Sequence, residues 1–205
     1  MALLKHEHEA LVAKAVAGDA DALTELLAAY GPRVERHLDI GRRWRGVLDT
    51  ADVMQVTYLE AFLEIARFDA ARATTFAAWL HRLAENNLRD ALRGLARHKR
   101  QPAARRVLAD ARAPDDSRDQ LLDELVSASS TPSRALRREE AHARLDRAIS
   151  QLPDDYAAVV RASDLQGLDP DAVAALLQRS PGAVHMLRAR AHQRLSELLD
   201  SAASM

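Results

Sequence analysis

Apolar residues recur every three or four positions along most of the chain, and runs alternating apolar with polar are missing, so the pattern predicts helices and no sheet. A first helix is expected over about 3–17, stopping at Gly18. Asp19 or Asp21 caps a second that carries Leu23, Leu26, Leu27, Tyr30, Val34 and Leu38, and Gly31-Pro32 is expected to bend or break it. Asp49 or Thr50 opens a third helix, about 50–66, with Val53, Val56, Leu59, Phe62 and Leu63 as its apolar face. Thr74 or Thr75 opens a fourth, whose apolar side holds Phe76, Leu80, Leu83, Leu88 and Leu95, with Trp79 near its start.

Further along, Pro153, Pro170 and Pro181 stand where first helical residues belong. Asp169 and Ser180 precede two of them as N-caps, and Gly167 follows a helix at its stop. Helices are therefore expected at about 153–166, 170–178 and 181–199, with a tight turn at Arg179-Ser180. Between the two sets the composition changes. From Gln101 to Ser133 the chain holds prolines, a Ser127-Ala-Ser-Ser-Thr-Pro-Ser133 run and a charge-dense middle, in which Leu121, Leu122 and Leu125 form a short docking helix. The expected architecture is all-α: two small helical domains, 1–100 and 136–205, joined by a flexible linker at 101–135.

The fourth helix carries the most informative polar pattern. Arg82, Arg89, Arg93, Arg97 and Arg100, with Asn86 in the one gap, follow each other at steps of three and four residues. They share one face over roughly 27 Å at about 1.5 Å per residue. One side of this helix wants a core and the other a polyanion, with nucleic-acid phosphate the best match; a solvated amphipathic helix is the alternative. Whole-chain charge hides the signal, because 29 Lys and Arg face 30 Asp and Glu for a net charge of -1. The signs are segregated instead. Val47–Asp69 holds five acids against Arg67, whereas His81–Arg106 holds eight bases against Glu85 and Asp90. Such asymmetry suits a protein that touches one basic and one acidic partner.

The C-terminal helices at 170–178 and 181–199 form a helix-turn-helix, whose second helix commonly enters the DNA major groove. Val173 and Leu177 are expected to face Val184, Leu187, Ala191 and Leu195. That leaves His185, Met186, Ala189 and Gln193 outward, flanked by Arg188, Arg190 and Arg194, and no acid occurs between Asp171 and Glu197. A plain helical hairpin with solubilising bases is the alternative here.

Two basic helical modules in this order resemble the sigma factors of bacterial RNA polymerase. From about Asp19 to Arg100 the resemblance rests on Asp49-Thr-Ala-Asp52-Val53-Met-Gln55, Phe68, Phe76-Ala-Ala-Trp79-Leu80-His-Arg-Leu83-Ala84-Glu-Asn86-Asn87, Asp90 and Arg93. From about Leu136 to Leu199 it rests on Leu145, Leu152-Pro153, Tyr156, Gly167-Leu168, Val173-Ala174, Ser180-Pro-Gly-Ala-Val184, Arg190-Ala191 and Leu195. With these two modules alone, the chain resembles the extracytoplasmic-function (ECF) subfamily of the sigma-70 family. The match covers about 145 of 205 residues and draws its strength from the order and spacing of motifs that are individually weak.

The resemblance implies a cytoplasmic transcription initiation factor that binds core RNA polymerase, recognises promoter elements and opens DNA, and it leaves room for an anti-sigma factor. Core polymerase would dock on Asp49, Asp52, Gln55 and Glu60. The −10 element would be read and melted by the loop Arg67–Thr75, with Arg67, Phe68, Thr74, Thr75, Phe76 and Trp79 near an unpaired base. Arg82, Asn86, Asn87, Arg89, Arg93, Arg97 and Arg100 would hold phosphates. The −35 element would meet Arg179, Ser180, Gly182, His185, Met186, Arg188, Ala189, Arg190, Gln193 and Arg194. Gln178 stands where the family's turn usually has glycine, Ala172 where an acid is common and His185 where lysine is frequent. These departures imply an unusual −35 preference or a weakly binding module.

Other classes fit less well. With no cysteine there is neither a disulfide nor a thiolate metal site or nucleophile, and no glycine-rich phosphate loop, HExxH or GxSxG occurs. His6 and His8 lie two residues apart, on different faces of a helix, and cannot bind one metal together. No cofactor, metal, catalytic residue or membrane span is expected. The alternatives are a sigma-like regulator that binds an anti-sigma factor without directing transcription and, more remotely, an all-helical enzyme.

Overall fold

The computed structural model describes residues 2–69, 75–100, 114–125 and 134–203. Among them there is no β-strand, only an isolated bridge between Arg45 and Leu48. The helices are α1 (Ala2–Val16), α2 (Ala20–His37), α3 (Thr50–Glu64), α4 (Phe76–Arg100), α5 (Pro114–Leu125), α6 (Arg134–Ser150), α7 (Asp154–Val160), α8 (Pro170–Leu177) and α9 (Pro181–Ala203). Packing divides the chain into two compact units, Met1–Leu92 and Arg93–Met205.

Capping explains most of the helix starts. The Asp19 carboxylate accepts from the backbone N–H groups of Asp21 and Ala22 to open α2. Asp49 and Asp52 form a reciprocal capping box at α3, the Asp52 N–H donating to Asp49 and the Asp49 N–H to Asp52. Thr75 takes the Ala78 N–H to open α4, and Ser180 takes that of Ala183 to open α9. Pro170 is the first residue of α8, as its fixed φ and missing N–H suit, whereas Pro153 lies one residue outside α7.

Helix α2 departs from expectation at Gly31-Pro32, where it runs through unbroken. Tertiary packing overrides the local breaker there. Tyr58 of α3 lies so close that a Cβ at Gly31 would overlap its hydroxyl, so the glycine is a contact position for α3.

In the first unit α2 packs on α1 and α3. Its core is built from Leu23, Leu26, Leu27, Val34, Val53, Met54, Val56, Ala61, Phe76, Leu80 and Ala84, all buried. Burying each large member contributes roughly 1.5–3 kcal/mol before the ordering entropy is subtracted.

In the second unit α9 is packed by α5, α6, α7 and α8. Helix α5 lies within the stretch expected as linker. Its Leu121 is buried, and it is tied to α6 by His142 with Asp119 at 2.8 Å and Arg118 with Asp146 at 3.4 Å. Helix α7 ends in a π-helical turn, Arg161–Leu165, followed by Gly167 at φ +70°.

Candidate nucleic-acid interface

The arginine stripe of α4 is presented as a continuous exposed face. Arg82, Arg89, Arg93 and Arg97 are exposed and Asn86 is half-buried, accepting from Arg89 Nη1 at 2.9 Å. Phe76, Leu80, Ala84, Asn87, Ala91 and Leu95 recur on the opposite side, and all are buried. The side chain of Arg100 and the whole of Thr74 lie outside the described residues.

Asn87 is a correction. It is 0% exposed, and its side-chain amide donates to Thr57 Oγ1 at 3.1 Å and to Glu60 Oε2 at 2.9 Å. Glu60 is buried with it, so neither residue lies on the surface assigned from the sequence. A buried carboxylate needs hydrogen-bond donors, and Asn87 supplies one from the facing helix. The Thr57 hydroxyl in turn donates to the Val53 carbonyl at 2.7 Å.

The aromatics beside the expected −10 loop also face inward. Phe68, Phe76 and Trp79 form a ring cluster with centroids 5.4–6.2 Å apart, and Tyr30 joins Phe76 at 5.7 Å. Phe68 and Phe76 are buried, which removes them from direct contact with a base, while Trp79 is half-buried. Arg67, paired with Glu64 at 3.4 Å, and Thr75 are exposed; residues 70–74 of the loop lie outside the described ones. The cluster is therefore core packing, as aromatics of that spacing usually are.

On α3, Asp49 and Gln55 are exposed and Asp52 is half-buried. Phe62, read from the sequence as core, is 44% exposed. Residues 52, 55, 59 and 62 share one face at steps of three and four, so the surface is a large apolar side chain beside polar and acidic ones. The spacing alone held that signal.

The helix-turn-helix is formed by α8, a turn with Gln178 in the left-handed conformation (φ 52°, ψ 45°), and α9. Ala189 and Gln193 are exposed, and Arg190 and Arg194 are half-buried, the first donating to Gln193 at 3.0 Å and the second paired with Glu197 at 2.7 Å. Arg179 pairs with Asp155 at 3.2 Å, Ser180 serves as the cap of α9, and Gly182 is buried.

Met186 was expected outward and is 0% exposed. Four helices pack on α9, so its apolar arc is wider than a two-helix hairpin requires. His185 is half-buried within the second unit, its ring against Gly94, where a Cβ would come within 2.5 Å, and 6.0 Å from that of His98. Burial pushes the His185 imidazole down to about 4, helped by the charges of His98, Arg188 and Arg97 and opposed by Asp171.

No sequence pattern pointed to Asp164. Its side chain is 4% exposed and meets Arg188 and His192 of α9. No periodicity links residues 24 and 28 positions apart.

The basic face of α4 and the helix-turn-helix can both hold a polyanion. Among the described residues no cluster of His, Asp and Glu could hold a metal, and no helix is long and apolar enough to cross a membrane. The family model for sigma-70 region 2 matches residues 26–98, and that for sigma-70 region 4 matches residues 142–195. "RNA polymerase sigma factor CarQ" of Myxococcus xanthus is 31% identical over 184 residues, 89% of this chain and 91% of that protein. "ECF RNA polymerase sigma factor SigD" of Mycobacterium tuberculosis is 28% identical over 191 residues, 92% of this chain and 82% of that one. Among solved structures, "Structure of CnrH in complex with the cytosolic domain of CnrY" covers 93% of this chain and 96% of its own at 25% identity, with a TM-score of 0.31. That superposition is too loose to carry an argument. The two matched regions, in this order and over most of the chain, make it a member of the sigma-70 family of RNA polymerase sigma factors, in the ECF subfamily, a family of transcription initiation factors and not of catalysts.

Proposed function

We propose that this sigma factor divides its work among three surfaces. The exposed face of α3, with Asp52, Gln55 and Phe62, docks on core RNA polymerase. The stripe Arg82, Asn86, Arg89, Arg93 and Arg97 holds promoter phosphates, so that the Arg67–Thr75 loop meets the opened −10 strand. The outward side of α9, centred on Ala189, Gln193 and Arg190, reads the −35 duplex from the major groove. Work on core polymerase and promoter DNA locates the protein in the cytoplasm.

The observation that carries this reading is the stripe. Four arginines occupy the exposed side of a helix whose other side is buried from Phe76 to Leu95, and the exposed acid beside them, Glu85, is paired with Arg89 at 3.9 Å. A helix that only needed solubility would alternate the signs evenly along that face, whereas here the arginines outnumber the acid four to one.

Run-off transcription with purified core polymerase is the direct test. The wild type should initiate from a promoter selected out of a randomised library, and the Arg89→Ala, Arg93→Ala, Arg97→Ala triple variant should bind it with a shallower salt dependence, by nearly one unit of slope per lost contact. A well-folded triple variant with an unchanged slope would take the stripe out of DNA binding.

A further inference from the structure

Asp164 sits on the π-helical turn Arg161–Leu165, and its carboxylate is closed on both oxygens. Arg188 Nε donates to Oδ1 at 2.8 Å and Arg188 Nη2 lies 2.6 Å from the same oxygen, while His192 Nε2 lies 3.0 Å from Oδ2. Arg188 and His192 are four residues apart, so the two contacts lie one turn apart along the same flank of α9. That flank adjoins the exposed pair Ala189 and Gln193. Burial by itself would raise the Asp164 carboxyl; the hydrogen bond from His192 and the charges of Arg188 and His192 outweigh it and hold the group below the ordinary carboxylate range.

The arrangement does something that helix packing does not. Apolar packing is non-directional, whereas a guanidinium and an imidazole hydrogen-bonded to one buried carboxylate fix the rotation of α9 directionally. A reading surface has to be held to about 0.5 Å and 10–20° to discriminate bases. Residue 164 lies within the π turn itself, a feature found often at functional sites.

We propose that Asp164 is a positioning residue for −35 recognition. It sets the rotation of α9 and draws Arg188 and His192 to the fold, leaving Ala189, Arg190 and Gln193 to face DNA. This rests on the assignment of α9 to the −35 element, and it removes Arg188 from the −35 contacts expected from the sequence.

The test uses the full chain bound to core polymerase and two DNA fragments, a promoter selected from a randomised library and the same fragment with its −35 hexamer scrambled. Asp164→Asn keeps the shape and removes the charge. Discrimination between the fragments should fall about tenfold, the size of one lost base-edge contact. The salt slope should rise by about 0.9 as the released Arg188 finds a phosphate. Arg188→Gln should also relax discrimination while leaving the slope unchanged. A folded Asp164→Asn protein with full discrimination would overturn the proposal, and so would a slope about 0.9 lower in Arg188→Gln, which would put Arg188 on the phosphate already. Helicity and thermal midpoint are recorded for each variant. If Asp164→Asn does not fold, Arg188→Gln and His192→Gln carry the test, and full discrimination in both overturns it. Gln193→Ala separates the two levels: relaxed discrimination there with none in Asp164→Asn sinks the positioning role alone, whereas no effect in either sinks the −35 assignment of α9.

Discussion

At Gln178 the backbone takes the left-handed conformation that glycine adopts without strain, and a longer side chain there costs up to about 1 kcal/mol. Gln178→Gly is therefore expected to raise the thermal midpoint of the second unit by a few degrees, read by a calorimetric scan; no gain would mean that the Gln178 side chain makes up the loss through contacts of its own. His185 gives a second expectation, in pH. Its folded value is held down near 4, whereas an unfolded histidine titrates near 6.5. Between those values the unfolded chain binds a proton that the folded one refuses. Stability is thus complete above about pH 6.5 and declines as the pH falls toward about 4. Urea denaturation across that window should show the decline, and His185→Gln should flatten part of it. Asn87 and Glu60 carry the lesson of this scale. As letters they read as surface groups, and only Thr57 and the facing helix, 27–30 positions away, turn them into a buried hydrogen-bonded set.

Among the elements, α4 was legible because its two requirements share one period: arginines at steps of three and four on one side, apolar residues at the same steps on the other. Helix α3 was legible only in part. Its cap at Asp49 and its extent could be read, but Phe62 was placed in the core because an aromatic among Val, Leu and Ile counts as core by default. At 44% exposure it has the character of an interface anchor. Phe62→Ala is expected to weaken core polymerase binding about tenfold, measured by fluorescence anisotropy of labelled protein, while far-ultraviolet circular dichroism stays unchanged. Unaltered affinity would move the docking surface away from this face. In α2 the error ran the other way: Gly31-Pro32 looked like a break, and the Tyr58 contact makes the glycine a packing position inside one helix.

For the whole molecule, a near-neutral net charge conceals an acidic segment and a basic one, each suited to a different partner. Division of labour predicts two kinds of DNA-binding defect. Losing Arg89, Arg93 and Arg97 should weaken all promoters by a similar factor, because phosphates carry no sequence information. Losing Gln193 should cost about 1–3 kcal/mol at one −35 position and little elsewhere. A binding screen over a promoter library, run on both variants, separates the two; a triple variant that changes sequence preference, or a Gln193→Ala protein that weakens every promoter equally, would reverse the roles.

Most helix starts, their caps and the basic stripe followed from the sequence itself, because each depends on residues within a turn or two of one another. The tertiary structure alone decided which polar residues are buried, which aromatics are exposed and how far around α9 the apolar arc extends. Those outcomes depend on groups brought together from 24 to 30 positions apart, as Asp164 with Arg188 and Asn87 with Thr57 illustrate. Periodicity reports which side of a helix faces a core; the partner across that core decides which polar atoms find a hydrogen bond there and remain.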